Sequence, residues 1–325
     1  MILQKLIFKG ALATALLLLT ACSTPPDTSS ILLGGDVMLY RGGEAIFQVS
    51  PWGELKETIL PEQVDIFAVN LESPFGEANQ VPLTGYPDMN LCADMDAVNI
   101  LVQGGIDLVT TANNHSSDCP TEAKNSARVL ESAGIESLGG DDETLLIPAG
   151  EQSVAFIAVD AYTGTFDHDA LMEKIRSTRK LSDLVVVSIH WGNEYQAGPG
   201  GEQEELAQEL VNAGADIVWG HHPHVLQRME WRESEMDGHR ALVMYSLGNL
   251  LADQWMLPDT LREALVRIEF SDHVITALTV YPLQMNPTSK ELELVRDTDI
   301  VNLITSRLNL ESLNVGDLII ETWKE

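Results

Sequence analysis

The sequence predicts an α/β protein, because strand-like apolar runs alternate along it with helical stretches and three helix-to-strand junctions share one glycine punctuation. A third observation points the same way. Polar residues rich in His, Asn and carboxylate gather just after the predicted strands, where an open α/β sheet forms its ligand crevice.

The elements follow in order. Lys5 and Lys9 precede an apolar run, Ala11–Leu19, broken only by Thr14. That run is too short to span a bilayer as a finished helix and has the length of a signal-peptide core. It leads into Leu19-Thr20-Ala21-Cys22, which resembles the lipobox of bacterial lipoproteins. The resemblance implies cleavage before Cys22, acylation of its thiol and new amino group, and attachment to a membrane of the bacterial cell envelope. Ser23, in place of an Asp, directs the expectation to the outer membrane, facing the periplasm, if the host is Gram-negative. Residues 22–30 are rich in Ser, Thr and Pro and read as a solvated tether.

Candidate strands are Ile31–Leu33, Val64–Val69, Leu108–Thr111, Val154–Val159, Leu184–Ile189, Ile217–Trp219 and Leu242–Tyr245. Several carry Val and Ile without alternation, as strands buried on both faces do. Helical stretches lie between them at Ala93–Val102, Thr121–Ser132, Asp169–Thr178 and Gln203–Val211. Gly104-Gly105, Gly134 and Gly214 stand where a left-handed helix C-cap leads into the next strand. After Tyr245 the rhythm changes. Ala264–Phe270 and Val274–Tyr281 alternate like an antiparallel pair, and a short helix near Ile300–Leu308 precedes a final strand, Asp317–Glu321. The organisation expected is therefore 1–21 signal peptide, 22–30 tether, 31–285 one α/β domain, and 286–325 an extension packed on that domain.

With 19 Lys and Arg against 49 Asp and Glu, the chain has a formal charge of −30. Such a surface repels nucleic acid and bare anionic membrane, so no nucleic-acid partner is expected and an anionic substrate needs local cations. Of three cysteines, Cys22 is assigned to lipid. Cys92 and Cys119 remain, either as a disulfide with Cα atoms under about 7 Å apart or as two buried thiols.

Six segments at strand ends carry the chemistry: Gly35-Asp36, Asn70-Leu71-Glu72-Ser73, Asn113-Asn114-His115-Ser116-Ser117-Asp118, His190-Trp191-Gly192-Asn193-Glu194, Gly220-His221-His222-Pro223-His224 and Ser246-Leu247-Gly248-Asn249. Imidazole and carboxylate together suit Zn, Mn or Fe better than Ca. Five of the 8 histidines fall in these segments; His168, His239 and His273 do not and read as surface groups. On an extended loop His222 and His224 would project to one side and His221 to the other, and the triple by itself leaves two registers open.

Taken together, GDVMLYRG, NLESP, ANNHSSD, SIHWGNEY, GADIVWGHHPHV and YSLGN, in this order from about Leu32 to Leu250, resemble the CapA/PgsA family of capsule and poly-γ-glutamate biosynthesis proteins. That family is similar to the calcineurin-like metallophosphoesterases, so the resemblance implies a sandwich of two central sheets flanked by helices. It also implies one or two divalent ions held by Asp36, Glu72, Asn114, His190, His222 and His224. Two departures stand out. Met38 occupies the position of a His two residues after the first Asp, and the second acid is Glu72 rather than Asp.

In such a site His115 would protonate a leaving group, Asp118 would orient that imidazole, and Arg41 would hold an anionic group. Glu194 reads as a supporting acid or a surface one. The expected activity is that of a metal-dependent hydrolase or transferase acting on a phosphoester or an amide of an anionic envelope polymer or its precursor. Its rival is a non-enzymatic component, or a scaffold on a degenerate metallophosphoesterase fold, working with polymer-synthase partners.

Overall fold

The structure, a computed structural model, describes residues 28–42, 44–60, 64–77, 90–119, 123–139, 144–164, 166–313 and 318–320. The segment expected to be a signal peptide, and Cys22, lie outside the described residues.

In chain order the strands of the two main sheets are β1 (Ser29–Val37), β2 (Ile66–Leu71), β3 (Leu108–Thr110), β4 (Glu136–Leu138), β5 (Thr144–Ala149), β6 (Gln152–Asp160), β7 (Leu184–His190), β8 (Ile217–His221), β9 (Met229–Glu233), β10 (Arg240–Met244), β11 (Asn249–Leu251), β12 (Arg262–Ser271), β13 (Val274–Met285), β14 (Leu292–Leu294) and β15 (Leu318–Ile320). One sheet runs β14-β13-β12-β1-β2-β3-β4, with β11 pairing on β1 and β15 on β13. The other runs β9-β10-β8-β7-β6-β5. β1 to β4 are mutually parallel, as are β6, β7, β8 and β10, while β12 joins β1 antiparallel.

Side-chain alternation along these strands builds three apolar layers. Ile31 and Leu33 of β1 face Val186 of β7, Ile217 and Trp219 of β8 in the core between the sheets. Leu32, Phe67 and Val109 face outward against Leu101 and Leu130, from the helices Val98–Gly104 and Ala123–Ser132. Val185 and Val187 face outward on the other side against Leu171, Ile175 and Leu210, from the helices His168–Thr178 and Gly201–Ala213. This is the α/β sandwich of two sheets flanked by helices that the resemblance implied. The central strands are covered on both faces, which is why they read as unbroken apolar runs.

Two differences have physical causes. β1 begins at Ser29, inside the expected tether, because Ser29 and Ser30 are buried and pair with Phe270 and Glu269 of β12. The helix expected from Ala93 starts later. Ala93–Asp94 instead pairs with Phe75–Gly76, and the α-helix runs Val98–Gly104. Beyond residue 285, β14 extends the large sheet, and the helix Thr298–Arg307 buries Ile304 in the core between the sheets.

Candidate metal centre

The parallel strands of both sheets present their carboxyl ends to one place, and close backbone approach makes it compact. A Cβ on Gly35 would lie 2.0 Å from the Gly248 carbonyl oxygen, and one on Gly220 2.2 Å from that of Tyr245. Only glycine fits either position. Asp36 N–H donates to that Gly248 oxygen at 3.0 Å, fixing Asp36 at the end of β1. The register of β1 with its neighbours then sets Asp36 beside Asn70 of β2 and Asn249 of β11.

Asp36 is fully buried and is the hub. Its Oδ1 accepts from Asn70 Nδ2 at 2.8 Å, and its Oδ2 from the His222 backbone N–H at 3.1 Å. His221 Nδ1 lies 3.3 Å from Oδ1 and His224 Nδ1 3.2 Å from Oδ2. Glu72, just past β2, is also fully buried, with His190 Nε2 and His224 Nδ1 each 4.0 Å from its Oε1. Asn114 Oδ1 sits 2.8 Å from His190 Nε2, which is 3.1 Å from His222 Nδ1. Asn113 Nδ2 donates to Asn70 Oδ1 at 3.2 Å and to the Leu71 carbonyl at 2.9 Å, and so anchors the loop that carries Asn114.

Two groups of donors emerge, each with its atoms within 4.8 Å of one another: Asp36, Glu72 and His190; and Glu194, His222 and His224. Ligands around one Zn-like ion sit about 2.0–2.2 Å from it, so donors this close can share an ion. The Asp36–His224 and His190–His222 contacts link the two groups into one centre. Buried polar atoms normally have partners, yet Glu72 Oε2, His222 Nε2 and His221 Nε2 lack a hydrogen-bond partner among the described residues. Lone pairs buried without partners among carboxylates and imidazoles are what a cation would satisfy, so the donor set fits the expected divalent metal.

The electrostatics match. Burial and the Asp36 charge push Glu72 up to about 7, against the opposing charges of His224 and His115. Burial would also raise Asp36, but the hydrogen bonds and charges of His221 and His224 outweigh it and hold Asp36 well below the usual carboxylate range. Burial lowers His224, yet the Glu72 charge and Asp36 override it and carry it to about 9. Burial and the His224 charge pull His222 down to about 4, and burial with three neighbouring imidazoles holds His190 well below its ordinary value.

His115 stands at the rim, outside both donor groups. Its Nδ1 is 2.8 Å from Asp118 Oδ2. Burial works against its charged form, but the Asp118 hydrogen bond and the Glu72 and Asp118 charges prevail and raise its pKa. Asp118 is itself pinned, accepting from Leu91 N–H at 2.7 Å. A disulfide joins Cys92 to Cys119 with Cα atoms 4.9 Å apart, tying the His115–Asp118 loop to the segment before Ala93.

With this geometry in view the comparisons are decisive. The model of the family described as bacterial capsule synthesis protein PGA_cap matches residues 30–254. The chain belongs to this PGA_cap family. Among curated relatives, the capsule biosynthesis protein CapA of Bacillus anthracis is 29% identical over 227 residues, covering 62% of this chain and 53% of that protein. The PGA biosynthesis protein CapA of Bacillus subtilis is 24% identical, covering 87% of this chain and 79% of that one. The chain thus spans about half the length of the first relative and more of the second. Among solved structures, a phosphatase from Mycoplasma pneumoniae superposes with a TM-score of 0.52 at 12% identity, covering 86% of this chain and 98% of that chain. That similarity shows a shared fold.

In this PGA_cap protein the structure brings Asp36, Glu72, Asn114, His190, His222 and His224 together and places His115 with Asp118 beside them. Three expectations need correction. Arg41 does not point freely at the site. Its Nε donates to Asp253 Oδ1 and Oδ2 at 2.7 and 2.9 Å, and its Nη2 contacts Met38 Sδ at 3.4 Å. The expected choice between His221 and the pair His222 and His224 also fails. His222 and His224 have φ of 93° and 57°, so the loop is not extended and all three rings reach the centre. His239 and His273 are not free surface groups: His239 Nε2 is 3.1 Å from the Ala215 carbonyl, and His273 Nδ1 is 2.8 Å from Asp216 Oδ2.

Sequence reasoning undervalued Glu194, whose carboxylate joins His222 and His224 as a possible ligand. It also left Asn70, Asn113 and Asn249 without roles. Asn249 Oδ1 lies 3.1 Å from His224 Nδ1. The available signal was their position in the same strand-end motifs.

Proposed function

We propose that this chain is a lipid-anchored envelope protein of capsule-type polymer synthesis that uses divalent metal to hydrolyse or transfer an amide of an anionic, glutamate-based polymer. The observation that carries the reading is the pair of linked donor groups, Asp36–Glu72–His190 and Glu194–His222–His224, with buried lone pairs left without protein partners. The family and the names of its curated relatives support the polymer class, and the lipobox-like segment ending at Cys22 supports the anchor.

Asp36, Glu72, His190 and Asn114 would hold one ion of the Zn, Mn or Fe class, and Glu194, His222 and His224 a second. Bound there, such ions supply an activated water at neutral pH and Lewis-acid stabilisation of a developing oxyanion. The protein does the rest. Asn113 and Asn249 fix Asn114 and His224. Asp118 keeps His115 oriented and its pKa raised, so that a protonated imidazole is present near neutrality to protonate the leaving nitrogen. Burial of the cluster beneath Tyr162, whose ring centroid lies 3.9 Å from that of His222, limits competing water.

The test loads the purified protein with Zn, Mn or Fe and follows γ-linked oligoglutamate and a chromogenic phosphodiester by mass spectrometry and absorbance. Metal-dependent cleavage or transfer of the γ-glutamyl bond, abolished by chelation and by His115→Gln, is expected. An intact oligomer at stoichiometric bound metal would instead make the protein a non-enzymatic assembly component.

A further inference from the structure

Beside the metal centre lies a second, chemically distinct cavity of about 420 Å³, walled by Arg41, Glu44, Ile46, Asp253, Trp255 and Lys290 among others. It adjoins the centre through two short links. Arg41 contacts Met38, two residues from Asp36. Asn249, the partner of His224, donates to Gln254 Oε1 at 3.1 Å, between the wall residues Asp253 and Trp255. The volume suits a small organic group rather than a lone ion.

The charges on its wall are arranged unevenly. Asp253 is committed to Arg41. Lys290 is not committed to any acid among the described residues, and its ammonium donates only to the neutral Ile46 carbonyl at 3.2 Å. Lys290 is also held in a costly backbone state. Its φ is 59°, and its turn is closed by Lys290 N–H to the Asn286 carbonyl at 2.8 Å and Asn286 N–H to the Glu291 carbonyl at 2.9 Å. The turn fixes the lysine backbone at the cavity wall, and the contact with Ile46 holds its ammonium there. Glu44, on the same cavity, makes no ion pair with Lys290 among the described residues, so a cationic and an anionic group share one space without neutralising each other. Trp255 packs against the core and adds an indole that can cover methylene groups.

We propose that this cavity is a subsite for a zwitterionic α-amino-acid head, the free amino end of a γ-linked glutamyl chain. Lys290 receives the α-carboxylate, Glu44 the α-ammonium, and Trp255 the side-chain methylenes that lead toward the metal centre. Only the amino-terminal residue of a γ-linked chain carries both free groups on one carbon, so the cavity distinguishes the end of the polymer from its interior. This rests on the function proposed above and adds to it the part of the polymer that is bound.

The test measures binding of γ-linked tetraglutamate to the metal-loaded protein by calorimetry, beside its N-acetylated form and α-linked tetraglutamate. Bound metal is measured in parallel. The unmodified γ-linked chain should bind at least about tenfold more tightly than either comparator, the scale of one lost charge-assisted contact. Lys290→Met should weaken it by a similar factor and Lys290→Arg should restore it. Glu44→Gln should erase the preference over the N-acetylated chain, and none of these changes should alter metal content. Equal affinity for free and N-acetylated chains, or no loss with Lys290→Met, would overturn the subsite. Either result with metal content intact would leave the metal centre standing. Loss of metal from wild type under the same conditions would instead count against the function on which the subsite rests.

Discussion

Metal affinity should collapse as pH is lowered from about 8 to about 6, because protons compete for the same lone pairs as the metal. In the metal-free protein Glu72 titrates at about 7 and His224 at about 9, and both must be deprotonated to ligate. Each such group costs about a factor of ten in affinity per pH unit below its pKa. Across those two units His224 accounts for about a hundredfold and Glu72 for about a further tenfold, a combined loss of about a thousandfold. His190 and His222 add little, since burial already keeps both imidazoles neutral through this range. The sign follows from the direction of the shifts: raised pKa values mean that affinity is lost as pH falls, first below 9 and then below 7. Glu72→Gln removes one titration. It also removes the charge that does most to lift His224 against burial, so the remaining step should move to lower pH. Competition with a chelator of known affinity gives the profile, and calorimetry in buffers of different ionisation enthalpy counts the protons released. An affinity varying by less than about threefold over the range would refute the reasoning.

Glu263 offers a stability test away from the site. It is fully buried, neither carboxylate oxygen has a partner among the described residues, and burial raises its pKa well above the usual carboxylate range. The fold therefore holds it protonated while the unfolded chain ionises it, so stability should fall as pH rises above about 4.5; Glu263→Gln should make that fall shallower and gain about 1–3 kcal/mol at pH near 8 in urea titrations. An unchanged slope would show that another group is responsible. For His115, imidazole NMR should give a titration midpoint above 6.5 that drops in Asp118→Asn, where burial is less opposed; a midpoint indifferent to Asp118 would remove the proposed role of that acid. Cys92→Ala with Cys119→Ala should cost about 2–4 kcal/mol of stability by chemical denaturation, and a neutral double variant would mean that the crosslink does not constrain this loop.

Much of the fold is legible in the sequence because its central strands are covered on both sides. Val185 to Val187 and Val154 to Val159 leave no other reading than interior strand. Edge strands are harder. Thr144–Ala149 alternates between half-exposed and exposed residues around Pro148, and Met229–Glu233 carries Glu230 and Arg232 on a wet face, so neither stands out from loop. Glycine marks the helix ends correctly, with Gly105, Gly134 and Gly214 all at positive φ. The site is legible as a set of segments but not as geometry. The spacing of His221, His222 and His224 predicts alternation, and the left-handed backbone at His222 and His224 breaks it. Nothing local in the sequence reveals Asp253 as the partner of Arg41, since the two are 212 residues apart and meet only through the sheet.

The central claim is that the histidines after β8 hold metal. His222→Ala with His224→Ala removes two of three donors from one group and breaks the side-chain contacts that join it to the other, while the apolar core between the sheets is untouched. The direct measurement is elemental analysis of the folded double variant beside wild type, purified and dialysed identically. Wild type should bind up to two equivalents of a transition metal, and the variant should lose the equivalent assigned to Glu194, His222 and His224 while keeping its circular dichroism spectrum. A folded double variant that binds as much metal as wild type would contradict the account.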